Sequence, residues 1–145
     1  MTAQTTLSTQ PAKLTGKQIA VNGVLAMVIA AIANVIARFV LGALVAIPAD
    51  FPPMQIPAII FFTVLYGIGA TVVYWLINRL ASNPQRVWSI VVLISFVLTA
   101  LPNLAFAANP AAAPFPGPSQ MFLLLLVYHL VALAVYYFML PRRKQ

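Results

Sequence analysis

Four long apolar runs, at about residues 19–47, 56–80, 87–107 and 120–140, constrain this chain more than any other feature. Each reaches the roughly 20 residues that cross a hydrocarbon core about 30 Å thick. Around them the composition is 63% hydrophobic and 6% charged, where a soluble domain carries about a quarter charged residues. A soluble fold of this size cannot hide so much apolar surface, so lipid is the solvent for these runs. In lipid the backbone must satisfy its own hydrogen bonds, which makes the runs helices rather than strands. The expected fold is an all-α membrane protein, a four-transmembrane-helix bundle over residues 19–140. A flexible polar tail is expected at 1–18 and a basic tail at 141–145. The first run, 29 residues long, exceeds the roughly 7–15 residues of a signal-peptide core and is long enough to tilt.

Local signals set the expected helix ends. Pro48 closes the first helix, Asn83 caps the third with Pro84 in its first turn, and Ser119 caps the fourth. Charge sets the orientation. Lys13, Lys17, Arg79, Arg86, Arg142, Arg143 and Lys144 all fall on one side of a four-span drawing, and Asp50, the single acid, falls on the other. By the positive-inside rule both termini are expected in the cytoplasm. Tyr74, Trp75, Trp88, Tyr136 and Tyr137 fall near the same interface. The basic balance therefore implies contact with anionic lipid headgroups and requires no nucleic acid. On the opposite side lie nine of the twelve prolines and the uncharged segment ANPAAAPFPGPS. Such backbone is stiff and extended. It serves as a docking surface for another membrane subunit or simply terminates helices.

One charge sits inside a span. Arg38, in ANVIARFVLG, is the only charged residue between positions 19 and 47. Counted at 1.5 Å per residue, it lies about 13 Å below the proline-rich end of its helix. The same count places His129 about 13 Å, Thr63 and Tyr66 about 10 and 15 Å, and Thr99 and Ser95 about 12 and 18 Å down their helices. Every helix thus offers a hydrogen-bonding group at one depth. Positions 22, 26, 30, 34, 38 and 42 read Asn, Ala, Ala, Asn, Arg, Gly, a stripe of small and polar residues at four-residue spacing. Small residues let helices approach closely in lipid, so Ala26, Ala30 and Gly42, with Gly67 and Gly69 on the second helix, are the expected packing positions. Arg38 is expected to point into the bundle, with Asn34 one turn below.

No span contains an acid, and a guanidinium stays charged, so Arg38 must find other acceptors. Two readings stand. Carbonyls freed near Pro102, Asn103 and an inward-folded Asp50 hold it, or it lines a wet outward pocket for an anionic or polar ligand. His129 has three: a bond to a neighbouring helix with Tyr66 or Thr99 as partner, a titrating switch, or an axial ligand to a pigment metal. Other chemistry is poorly supplied. The chain has no cysteine, one histidine, no carboxylate in a span and no glycine-rich phosphate loop, so no metal cluster or catalytic triad is expected.

FVLTALPNL in the third span, LLVYHLVALAVYYFMLPR in the fourth and the basic loop NRLASNPQR carry a family resemblance. The chain resembles a bacterial family of small four-span membrane proteins known only as a domain of unknown function. Thr99, Pro102, His129 and Arg38 are the positions that match. The resemblance implies a four-helix bundle in the bacterial cytoplasmic membrane and no particular activity.

The leading expectation is a non-enzymatic accessory or structural subunit that packs against itself or a larger membrane complex, with no cofactor. The alternative is a small transporter or ligand-binding membrane protein with a polar pocket around Arg38 and His129. The third is a pigment-associated subunit that uses His129.

Overall fold

The computed structural model describes residues 13–143. Across them run four helices, α1 (Gly16–Leu44), α2 (Ile56–Leu80), α3 (Pro84–Ala108) and α4 (Ser119–Met139), all long and apolar enough to cross a membrane. The described residues include no strand. Residues 1–12 of the expected tail, and 144–145, lie outside this range.

Helix ends follow local chemistry more closely than hydropathy. α1 begins three residues before the apolar run because Thr15 and Gln18 form a capping box. The Gln18 N–H donates to Thr15 Oγ1 at 3.2 Å, and the Thr15 N–H to Gln18 Oε1 at 2.8 Å. It ends at Leu44 rather than at Pro48, since Pro48 has no N–H for the Leu44 carbonyl and Val45 is already extended. α3 starts at Pro84 under the expected cap, with the Arg86 N–H donating to Asn83 Oδ1 at 3.2 Å. The expected Ser119 cap is not made. Pro118 occupies the cap position without a side-chain bond, and Ser119 is the first helical residue. Short 3-10 turns at Pro52–Met54 and Pro110–Ala112 fold the proline-rich loops.

α1 packs on α2 and α4, and α3 packs on α4, while α2 and α3 touch sparsely. The ring α2–α1–α4–α3 is thus loosest at the α2–α3 seam. Two apolar clusters hold it together. One, near the termini, centres on Ile19, Tyr74, Trp88 and Tyr136; the other, under the proline-rich loops, centres on Phe51, Met54, Met121 and Phe122.

The stripe on α1 turns inward as far as Asn34. Asn22, Ala26, Ala30 and Asn34 are all buried, the two alanines completely. Beside it, a methyl built on Gly23 would lie 2.4 Å from Thr71 Oγ1, so the Thr71 side chain of α2 packs directly on the α1 backbone there. Asparagines tie the basic end. Asn22 Nδ2 donates to the Leu140 and Arg142 carbonyls at 3.1 and 2.7 Å, capping the end of α4 from α1. Asn78 on α2 exchanges two bonds with the Leu14 backbone, at 2.8 and 3.2 Å.

Gly67 clears the path of Tyr136, whose hydroxyl donates to the Thr63 carbonyl at 2.7 Å, and so is a packing position. Gly69 is not. It faces outward, and an added methyl would meet nothing within 4 Å. Gly42 is exposed as well and contacts the Arg38 side chain rather than another helix.

Candidate functional site

The layer of equal depth closes around a real space. Asn34, Thr63, Tyr66, Thr99 and His129 all border one cavity of about 410 Å³, together with Asn103 and Tyr128. Its mouth lies on the α2–α3 seam, where Phe62, Tyr66 and Leu98 are 48%, 55% and 62% exposed. In a bilayer that flank meets acyl chains. Pro53 and Phe115, from the two proline-rich loops, also line it.

Two expected members are elsewhere. Ser95 does not line the cavity; its carbonyl accepts from Thr99 Oγ1 at 2.9 Å. Arg38 does not line it either. Its Nε–H donates to the Met54 carbonyl at 2.8 Å, so the acceptor comes from the first proline-rich loop and not from Pro102, Asn103 or the exposed Asp50. A 3-10 turn leaves its last carbonyls without internal donors, and such a carbonyl suits a half-buried guanidinium. A methyl on Gly42 would sit 2.6 Å from Arg38 Nη1. Gly42→Val is therefore expected to displace the guanidinium and cost about 2 kcal/mol, one hydrogen bond to a charged donor. Faster hydrogen exchange at the Phe51, Met54 and Gln55 amides, which close the loop turns, checks it.

Thr99, Asn103 and His129, which α3 and α4 bring to the cavity, bond to their own helices instead of across the bundle. His129 Nδ1 lies 2.8 Å from the Leu125 carbonyl. A carbonyl only accepts, so Nδ1 carries the proton and, in the neutral ring, Nε2 keeps its lone pair. Thr99 Oγ1 donates to the Ser95 and Phe96 carbonyls, and Asn103 Nδ2 to the Thr99 carbonyl at 2.9 Å. The expected bonds from His129 to Tyr66 or Thr99 are not made, because carbonyls one turn back are nearer than any neighbouring helix.

A family model matches residues 10–145, nearly the whole chain. The chain belongs to DUF6069, a family of unknown function. Neither a curated protein nor a solved structure matches it.

The chemistry available in this DUF6069 cavity is that of neutral hydrogen bonding. Asn34 Nδ2 donates to Thr63 Oγ1 at 2.9 Å, but Asn34 Oδ1 has no partner, and neither has the Tyr128 hydroxyl. These residues are 2% and 7% exposed. Pro102 lies inside α3 and has no N–H for the Leu98 carbonyl one turn back, so a further acceptor opens at the wall. Among the described residues no group of three His, Cys, Asp or Glu could hold a metal ion. Tyr128 and Asn103 were legible only as a hydroxyl beside His129 and an amide beside Pro102, two signals that depth counting passes over.

Proposed function

We propose that this DUF6069 chain is a non-enzymatic binding protein of the bacterial cytoplasmic membrane, with both termini in the cytoplasm, that takes a small lipophilic molecule with a polar head from the bilayer. The observation that carries this reading is the cavity itself, about 410 Å³, bordered by the hydrogen-bonding side chains Asn34, Thr63, Tyr66, Thr99, Tyr128 and His129 and open sideways toward lipid. Buried polar atoms are almost always bonded, and leaving one bare costs about 1–3 kcal/mol. Beside the cavity, Asn34 Oδ1 and Tyr128 Oη are such bare atoms, sealed from its open space. The volume is within the range of small-molecule sites.

The accessory-subunit reading loses its first support here, because Ala26 and Ala30 are buried inside the bundle and are not offered to a partner. It now rests on the proline-rich loops alone.

Tyr128→Phe tests the sealed hydroxyl, and the contents of the purified protein test the site. It keeps the ring and deletes the bare hydroxyl, so the ligand-free variant is expected to be more stable by about 1 kcal/mol. Protein purified from its native membrane in mild detergent is expected to carry a small molecule, seen by mass analysis of the organic extract. An empty extract from both proteins overturns the proposal. The absorption spectrum of the same sample tests whether His129 Nε2 ligates a pigment.

A further inference from the structure

Building on that reading of the cavity, we infer that Tyr66 is its ligand-binding residue, with the Tyr66 hydroxyl donating to an oxygen of an uncharged lipophile that enters between α2 and α3. Tyr66 borders the cavity at its mouth and is more than half exposed. Among the described residues its hydroxyl has no hydrogen-bond partner. Nearby Thr63 already accepts from Asn34 on its hydroxyl and from Tyr136 on its carbonyl. On a soluble protein such a hydroxyl would bond water. Here the flank meets acyl chains, which offer neither donor nor acceptor.

Depth keeps the lipid headgroups out of reach. Tyr66 packs against Phe62 one turn back, with 6.4 Å between ring centroids, the direction in which a helical tyrosine leans. The turn of Phe62 is still about 9 Å of helix from the end of α2. Lipid-facing tyrosines concentrate at the interface, where water and headgroups serve the hydroxyl. One held below it stays unbonded, at a cost in free energy, until an acceptor is delivered. The other groups at the cavity are less available. Asn34, Thr63, Asn103 and Tyr128 are buried, and Thr99 Oγ1 and His129 Nδ1 are bonded within their own helices.

Charge defines the class of ligand. Among the described residues no Lys, Arg, Asp or Glu borders the cavity, so a charged head finds no counter-ion and is costly to bury. Ketone, ester and alcohol oxygens all accept from a tyrosine hydroxyl; the shared chemistry is an uncharged oxygen on an apolar body. That body has room along the seam. A second hollow of about 320 Å³, lined by Leu76, Ile77 and Leu80 of α2 with Val87 and Val91 of α3, lies toward the basic end. About seven residues, roughly 10 Å, separate it from the cavity, and α2 and α3 touch only sparsely between.

The full-length protein in phosphatidylcholine nanodiscs is to be photolabelled with a diazirine-bearing 2-heptadecanone. Saturable labelling of α2 and α3 seam residues is expected, competed by 2-heptadecanone and, at equal mole fraction in the membrane, about tenfold less well by heptadecane. Methyl palmitate and 2-heptadecanol should compete like the ketone, palmitate and hexadecylamine no better than the alkane. Tyr66→Phe deletes a hydroxyl that holds nothing in the bundle, so the variant is expected to unfold at the same SDS fraction as the unmodified protein. It is expected to bring the ketone down to the level of the alkane and to leave the alkane unchanged. Ketone and alkane competing equally, a ketone preference that survives in Tyr66→Phe, or a preference for palmitate or the amine overturns the inference and leaves the binding site standing. A variant that changes oligomeric state while keeping the ketone preference also overturns it and assigns the hydroxyl to a second copy of the chain. Absence of saturable labelling overturns it too, and with an empty organic extract from the native protein overturns the proposed function as well.

Discussion

Gly67→Val is expected to destabilise the bundle by about 3 kcal/mol, from overpacking and from a stranded hydroxyl together. A β-carbon at Gly67 would fall 2.3 Å from Met27 Cγ and 2.5 Å from Tyr136 Oη. Met27 is flexible and can move aside. Tyr136 cannot move without cost, since it is 2% exposed and its hydroxyl is bonded to the Thr63 carbonyl. Pushing the ring out breaks that bond where no water replaces it. Gly69→Val, two residues on, adds the same side chain where nothing lies within 4 Å, so it is expected to be silent. SDS-driven unfolding of both variants in mild detergent measures the difference, and equal midpoints would refute the packing described for α1, α2 and α4.

Asn22→Ala should have the second largest effect, a loss of about 2–3 kcal/mol. One amide nitrogen serves two carbonyls, of Leu140 and Arg142, at the end of α4. Those carbonyls lie past the point where the helix can supply donors. Removing Asn22 strands both beside a residue, Leu140, that is completely buried. The expected signature is local as well as global: faster exchange and easier proteolysis at Tyr136–Arg142, with the proline-rich end unchanged. Uniform loosening of both ends would mean that the two apolar clusters unfold as one unit and that Asn22 has no separate role at α4.

Asn22 and the two glycines of these predictions differ in how far the sequence exposed them. Asn22 was marked as part of the α1 stripe, but its target was not, because the carbonyls belong to a segment 118 and 120 residues away. Gly67 and Gly69 looked equivalent, and rotation alone separates them. The candidate site was legible as a depth: Thr63, Tyr66, Thr99 and His129 were matched by counting residues from helix ends, Asn34 was placed one turn below Arg38 on the α1 stripe, and all five border the cavity. Counting failed for Ser95, which at about 18 Å lies at the level of Asn34 and yet is off the cavity, because depth does not fix rotation. It also missed Tyr128. Arg38 misled for a different reason. A loop carbonyl, that of Met54, holds it, and loops that fold back onto a bundle leave no periodic trace.

What the sequence alone determined, then, is the number, order and approximate length of the spans and the level of the polar residues along them. These depend on local quantities: apolar run length, proline and asparagine at the ends, and rise per residue. Rotation and pairing were left to the tertiary structure. In water an amphipathic stripe announces the buried face of a helix; in lipid both faces are apolar, so composition does not separate inside from outside. Helix packing here is decided by small residues and a few hydrogen bonds, and which of those engage depends on what stands opposite. That is why Gly67 packs and Gly69 does not, why His129 bonds its own helix, and why the cavity opens on the α2–α3 seam.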